Sequence, residues 1–279
     1  MAATTKSGVE YDRGAIEATE TRFWGDAWDA VRPEAAAEHG IEAAGFGRVQ
    51  ATIVRSLADV QVVNLVLGAA APGVVEDGSL EAALAWVRER GADPHVPVAP
   101  GLPGTAAAER FLAVAGFAPG YGWMKFLRDA HEPRFAAPAD VEVVELGESS
   151  EEPFAAIVAA GFGLPAWGAE LFAGLPGRRG WRCYVAKVDG AAQAAAATFL
   201  DGGTAELAMA ATLEPARRRG CQLALLRRRI LDAAAAGSQL LFVETGERDP
   251  ARPSNSYRNI LRAGFEEAYL CPNWGRTPP

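Results

Sequence analysis

The chain closes in the same way twice, and this limits its possible folds more than any other feature. Residues 110–123 read RFLAVAGFAPGYGW and residues 258–274 read RNILRAGFEEAYLCPNW. A constant offset of 148 pairs Arg110 with Arg258, Leu112 with Ile260, Ala115 with Ala263, Gly116 with Gly264, Phe117 with Phe265 and Tyr121 with Tyr269. A spaced pattern of this length that recurs at one offset marks a duplicated unit. The sequence therefore predicts two copies of one unit, residues 1–130 and 141–279, joined by the polar, proline-containing linker HEPRFAAPAD at 131–140. Each copy should finish as a short helix capped by glycine, followed by a strand that phenylalanine anchors in the core.

The second copy is the easier to read. Strands are predicted at 141–146, 182–188, 191–200, 205–213 and 239–245. Asp189-Gly190 and Asp201-Gly202-Gly203 supply short hairpin turns between the second and third and between the third and fourth. Helices are predicted at 151–162 and from about 219 to 236, where Leu223, Leu226, Ile230 and Ala234 recur at helical spacing. Hairpins followed by strand–helix–strand give an α/β (α+β) unit with a mixed, mostly antiparallel sheet flanked by helices. The first copy begins helically over 14–39. Strands follow at 47–54, 60–70 and 95–100, with an amphipathic helix at 79–90. It shares the finish but reads as lacking the early strands of the second copy.

Charge gives the first functional clue. The formal net charge is −8, yet residues 211–230 carry six arginines. An acidic surface repels polyanions, which disfavours nucleic acid as a partner, so the basic segment answers to something small and local. In TLEPARRRGCQLALL a strand ends, Pro215 forbids further pairing, and a helix starts soon afterwards. Such a loop presents backbone N–H groups at a helix N-terminus, where partial positive charge already resides. Gly220 lacks a Cβ where a ligand would approach, and Arg217, Arg218 and Arg219 add charge around the mouth. That combination suits a phosphate or pyrophosphate. Neither a Walker loop nor a G-x-G-x-x-G loop is present. Arg227, Arg228 and Arg229 span most of a helical turn and read as a solvated face whose stems cover apolar surface.

The strand–Pro–Arg-x-x-Gly–helix segment, with a helix ending in Gly-Phe further on, resembles the coenzyme A-binding core of the GNAT (GCN5-related) N-acetyltransferases. Their signature is Arg/Gln-x-x-Gly-x-Gly/Ala; here it reads Arg217-Arg218-Arg219-Gly220-Cys221-Gln222, with glutamine in place of the second small residue. The tail ETGERDPARPSNSYRNILRAGFEEAYLCPNW is similar to a bacterial tandem subgroup with a degenerate N-terminal half and an active C-terminal one. The resemblance covers nearly the whole chain. It implies two tandem GNAT-like domains, 1–130 without a coenzyme loop and 141–279 binding acetyl-CoA. In the second, the sheet should splay between its fourth and fifth strands. The AAAPG stretch after the strand of the first copy carries no arginine, so one coenzyme per chain is expected.

The resemblance also assigns roles. Ala211, Thr212 and Leu213 would hold the pantetheine and thioester of acetyl-CoA by strand-like hydrogen bonds. The amides of Arg217, Arg218, Arg219, Gly220, Cys221, Gln222 and Leu223 would hold the pyrophosphate. Asn255 and Arg258 would lie near the coenzyme arm. Acetyl transfer to an amine needs a base for the ammonium and an acid for the leaving thiolate. The family's acid is commonly a tyrosine five residues before the phenylalanine, and that position is Ile260. Tyr257, nearly one turn earlier, is the candidate acid, with a packed or coenzyme-touching tyrosine as the alternative. Glu206 and Glu244 are candidate bases, with solvated or ion-paired acids as the alternative, and a water chain could relay the proton. Glu247 and Asp249 would attract a cationic amine.

The leading expectation is an acetyl-CoA-dependent N-acetyltransferase acting directly on the primary amine of a small acceptor. A catalytically silent CoA or acyl-CoA sensor is the alternative. Cys183, Cys221 and Cys271 are odd in number and widely spaced, and with only His39, His95 and His131 no metal site is expected. No charged start precedes an apolar core at the N-terminus and no apolar run of about 18 residues occurs, so a cytoplasmic monomer or homodimer with no membrane contact is expected.

Overall fold

The computed structural model describes residues 2–150, 152–251 and 254–276. Glu151, where the sequence places a helix start, and Arg252 and Pro253, in the tail that carries the resemblance, lie outside the described residues. The chain divides into two compact units. Unit 1 comprises Met1–Ala3, Glu10–Lys125 and Tyr269–Pro279; unit 2 comprises Thr4–Val9 and Phe126–Ala268.

In unit 1, β1 (Ala2–Thr4) pairs with β2 (Glu10–Asp12). Asp12 ends β2 and caps α1 (Arg13–Asp29), accepting the Gly14 N–H at 2.9 Å. The helix expected over 14–39 is in fact two, because Pro33 cannot continue a helix but suits the first position of a new one. That second helix, α2 (Pro33–His39), ends on Gly40 at φ +61. A hairpin follows, β3 (Ile41–Phe46) and β4 (Val49–Val54), and β5 (Leu65–Leu67) lies antiparallel beside β4. The early strands that this half was expected to lack are therefore present. Between Ile41 and Phe46, β3 consists of Glu42, Ala43, Ala44 and Gly45, residues with little intrinsic strand preference, and its pairing with β4 supplies what these four do not. The long strand expected over 60–70 contracts to three residues for an opposite reason. Buried Asn64 accepts the Val54 N–H at 2.9 Å and donates to the carbonyls of Leu57 and Val60 at 2.7 and 2.9 Å, folding the preceding segment into turns. The unit continues with α3 (Ser79–Glu89), β6 (Val96–Pro97), α4 (Thr105–Val114) and β7 (Phe117–Asp129), whose residues from Phe126 onward belong to unit 2. Ile53, Val66, Leu80, Leu84, Val87, Leu112 and Phe117 form its core. Each contributes about 1.5–3 kcal/mol by leaving water.

Unit 2 contains β8 (Val141–Leu146), α5 (Phe154–Gly161), β9 (Trp181–Val188), β10 (Ala191–Asp201), β11 (Thr204–Thr212), α6 (Cys221–Ala235), β12 (Leu240–Gly246), α7 (Asn255–Arg262) and the start of β13 (Glu266–Arg276). Asp189 and Gly190 both take positive φ, +53 and +78, as the tight turn between β9 and β10 demands. Pairing is antiparallel along β8–β9–β10–β11 and parallel between β11 and β12. The later residues of β13 belong to unit 1, where Trp274 pairs with Val96 on β6.

The repeat read from the sequence extends to the whole element order. From β2 to β7 and from β8 to β13, each unit runs strand, helical segment, three strands, helix, strand, helix, strand. Gly116 and Gly264, the paired glycines, each cap their helix at φ +83, and Phe117 and Phe265 are both buried.

Candidate functional site

β11 and β12 part company early. Their ladder holds only Thr204, Glu206 and the residue between them against Leu240 to Phe242, while β11 stays paired to β10 as far as Thr212. The expected splay between the fourth and fifth strands of this unit is therefore present, and it leaves the later half of β11 with an edge that β12 does not cover. A bulge marks the same region: the β10–β11 register shifts between Ala195 and Ala197, and Met209 takes φ +51.

Arg229 braces this bulge, contrary to its reading as part of a solvated face. It is 1% exposed. Its guanidinium donates to the carbonyls of Leu225, Ala197 and Ala208 at 3.3, 3.1 and 3.3 Å. Burial pulls its pKa down to about 10, still far above neutrality. Helical phase could have revealed this, since Arg229 lies four residues from both Leu225 and Ala233 on the core side of α6. Its neighbours go elsewhere. Arg228 binds Asp232 at 2.6 Å and Glu145 at 3.2 Å, and Arg227 reaches Glu132 at 3.3 Å.

The anion site predicted from the sequence falls on the loop from β11 to α6. Its backbone N–H groups divide into two sets. Those of Arg217 and Arg219 are used within the loop, donating to Glu214 and Ala216 at 3.1 and 3.2 Å. Those of Arg218, Gly220, Cys221, Gln222 and Leu223 have no protein acceptor among the described residues; the first helical bond of α6 comes from Ala224. Arg217 and Arg218 are exposed and make no ion pair among the described residues. Arg219 differs, being engaged by Asp140 at 3.2 Å and Asp189 at 3.5 Å. Gly220 sits at φ +82, and a Cβ there would come within 2.4 Å of Pro138 Cγ. Its missing side chain thus makes room for the segment entering β8. Cys221 is buried and its thiol donates to the Ala216 carbonyl at 3.9 Å, with burial pushing its pKa up. Gln222 turns toward α7, donating to Ser256 at 3.0 Å and accepting from Asn259 at 2.8 Å. The residue that replaces a small one in the family pattern therefore ties two helices together.

The remaining candidates sit on distinct faces. α5 lies directly on the end of β11, where a Cβ at Gly161 would come within 2.2 Å of Ala211 Cβ; Thr212 and Leu213 are half-buried. Glu206 is 2% exposed and pairs with Phe242 at the last β11–β12 rung. Pairing with Phe199 puts it on the sheet face opposite α6, which covers Tyr184, Ala194 and Ala196. Strand alternation brings half-buried Glu244, two residues past Phe242, to the same face. Tyr257 points the other way on α7. It is 5% exposed, its hydroxyl donates to Glu267, and its ring meets Phe126 edge-on at 4.8 Å. Burial, then the Glu267 bond, holds its pKa above the usual phenol value. Ile260 is core. Exposed Asn255 and Arg258 bond to each other at the start of α7.

The equivalent loop of unit 1, between β5 and α3, is differently equipped. Asp77 Oδ1 accepts the Ser79 N–H at 2.8 Å and Leu80 N–H goes to the Val74 carbonyl at 2.9 Å. A protein carboxylate already occupies that helix N-terminus, and its bonds to Ser79 hold its pKa below the ordinary value.

Among the described residues no group of three or more potential metal ligands stands together, and no helix is long and apolar enough to cross a membrane. No family model matches the sequence, and no curated protein matches it either. Solved structures do resemble the chain in fold. A GCN5-related N-acetyltransferase from Kribbella flavida superposes with TM-score 0.59 at 18% identity, over 91% of this chain and 96% of its own. One from Sphaerobacter thermophilus gives 0.59 at 15% identity, over 82% and 76%. A tandem GNAT protein from the clavulanic acid biosynthesis pathway gives 0.56 at 18% identity, over 83% and 79%. Duplicated element order, a sheet that splays beside a helix N-terminus, and these superpositions together show that the chain has the fold of the GCN5-related N-acetyltransferases, in tandem form.

Proposed function

We propose that unit 2 binds acetyl-CoA and transfers its acetyl group directly to the primary amine of a small acceptor. The observation that carries this reading is the open helix N-terminus of α6. Two loop amides and three from the first turn of α6, without acceptors among the described residues and beside exposed Arg217 and Arg218, suit a pyrophosphate. Ala211 to Leu213 would bind the pantetheine arm along the β11 edge that β12 leaves uncovered, and Asn255 and Arg258 would flank that arm. The bound coenzyme would supply an acyl group activated as a thioester.

The chain's own task is then proton handling. Glu206 and Glu244, on the face away from α6, would draw a proton from the ammonium, with Glu247 and Asp249 attracting the cation. Tyr257 would return a proton to sulfur as general acid, exchanging its bond to Glu267 for one to the leaving group. We propose a cytoplasmic protein, monomer or homodimer; Cys183, Cys221 and Cys271 are buried and form no disulfide among the described residues, as suits a reducing compartment.

A second reading rests on a specific observation. Ile260 fills the tyrosine position and Tyr257 is already committed to Glu267, which favours a CoA or acyl-CoA sensor. Thiol release from acetyl-CoA across a panel of primary amines separates the two. Amine-dependent release is expected; CoA binding by calorimetry without release for any amine would make the protein a sensor.

A further inference from the structure

Unit 1 contains a cavity of about 510 Å³, within the range of small-molecule sites. Glu17 and Thr21, one helical turn apart on α1, line it together with Gln50 of β4, and buried Ala69 and Ala70 give it an apolar wall. Asp12, Arg22 and Arg48 stand at its exposed rim. The interior acid is held in place: the Tyr269 hydroxyl donates to Glu17 Oε1 at 2.7 Å, and Arg13 stacks 4.5 Å from the centre of that tyrosine ring.

Three charged groups act most strongly on Glu17, and Asp12, Arg22 and Arg48 share its cavity. Lys125 and Arg13 favour its ionised form and Glu20 opposes it, yet burial dominates and lifts its pKa to about 7. Lys125 is bound to Glu20 at 2.5 Å, with both side chains 1% exposed. The strongest nearby cation is therefore already engaged, and a neutral phenol holds Glu17. A carboxylate in this condition gains most from an incoming cation.

We propose that this cavity binds a free α-amino acid, its ammonium at Glu17 and its carboxylate at Arg22 and Arg48. Mixed charge makes the selection. A simple anion would meet Asp12 and Glu17, and a simple cation would pass two arginines. A coenzyme pyrophosphate would find the α3 N-terminus filled by Asp77. The site does not depend on acetyl transfer by unit 2.

The test uses the full chain at pH 7 and each of the twenty common L-amino acids, titrated by calorimetry in phosphate and in Tris. At least one should bind with Kd below about 10 mM. Its apparent enthalpy should differ between the buffers, because ammonium binding expels the proton that Glu17 partly holds. Glu17→Gln should abolish the buffer difference and weaken binding by about tenfold or more. Arg48→Met, a change at an exposed residue, should weaken binding similarly with unchanged melting, and it carries the test if the Glu17 variant melts early. Absence of binding by all twenty amino acids overturns the proposal, as does binding that survives Arg48→Met. A second equivalent of CoA, lost in Arg48→Met, would show that the cavity serves a coenzyme and would equally overturn it. None of these outcomes bears on thiol release by unit 2.

Discussion

The two units carry the same elements in the same order and differ in the loop before one helix. In unit 1 that loop supplies its own anion, Asp77, to the N-terminus of α3. In unit 2 it leaves the N-terminus of α6 open and sets Arg217 and Arg218 beside it. Duplicated architecture therefore says little about duplicated chemistry. Whether a helix N-terminus is a site or a closed cap depends on whether the chain satisfies it from within.

The largest expected effect tests how deep the equivalence of these helices runs. The ninth residue of α3 is Val87 and the ninth of α6 is Arg229, both buried. Arg229→Ala should cost about 3–5 kcal/mol, because it strips a buried charge network from strand carbonyls. Val87→Ala should cost about 2 kcal/mol for its lost methyl groups. Urea midpoints would measure both, and equal losses would mean that Arg229 acts only as packing. Next comes the open loop. The double change Arg217→Ala/Arg218→Ala should raise the Kd for CoA by about 10- to 100-fold, as expected for lost charge-assisted bonds. Unchanged affinity by calorimetry would remove the loop from the coenzyme site. The smallest effect belongs to the closed loop. Hydrogen bonds from Ser79 lower the pKa of Asp77 below that of an ordinary aspartate, so its contribution to stability is complete above the ordinary value and is lost as pH falls through the lower folded one. Asp77→Asn should flatten this acid limb in melts taken downward from the ordinary aspartate range, without altering CoA binding.

How far the sequence could be read followed how local each cause was. Asp189-Gly190 declares a hairpin because two positive φ angles in succession need such residues, so β9, β10 and β11 were plain. Pro215 and Gly220 announced the loop, and the Arg217 to Arg219 run announced its charge. What composition could not show was partnership. β3 is a strand because β4 lies beside it, and Asn64 breaks a β-branched run because its amide meets the backbone of residues 54 to 60. Gly220 owes its conservation of space to Pro138, eighty-odd residues earlier in the chain. Arg229 had the helical phase of a core residue and the charge of a surface one, and only the carbonyls of β10 and β11 resolve that conflict. Glu17 carried no signal of its own, since its partner Tyr269 comes from the far end of the sequence.

That distant tyrosine has a consequence for how the protein is made. The last segment of unit 1, Tyr269 onward, follows all of unit 2 in the chain. A ribosome must therefore deliver the whole of unit 2 before unit 1 has its final strand, and until then β6 has no Trp274 to pair with and Glu17 no phenol to hold it. The half that is synthesised first is the half that can be completed only last.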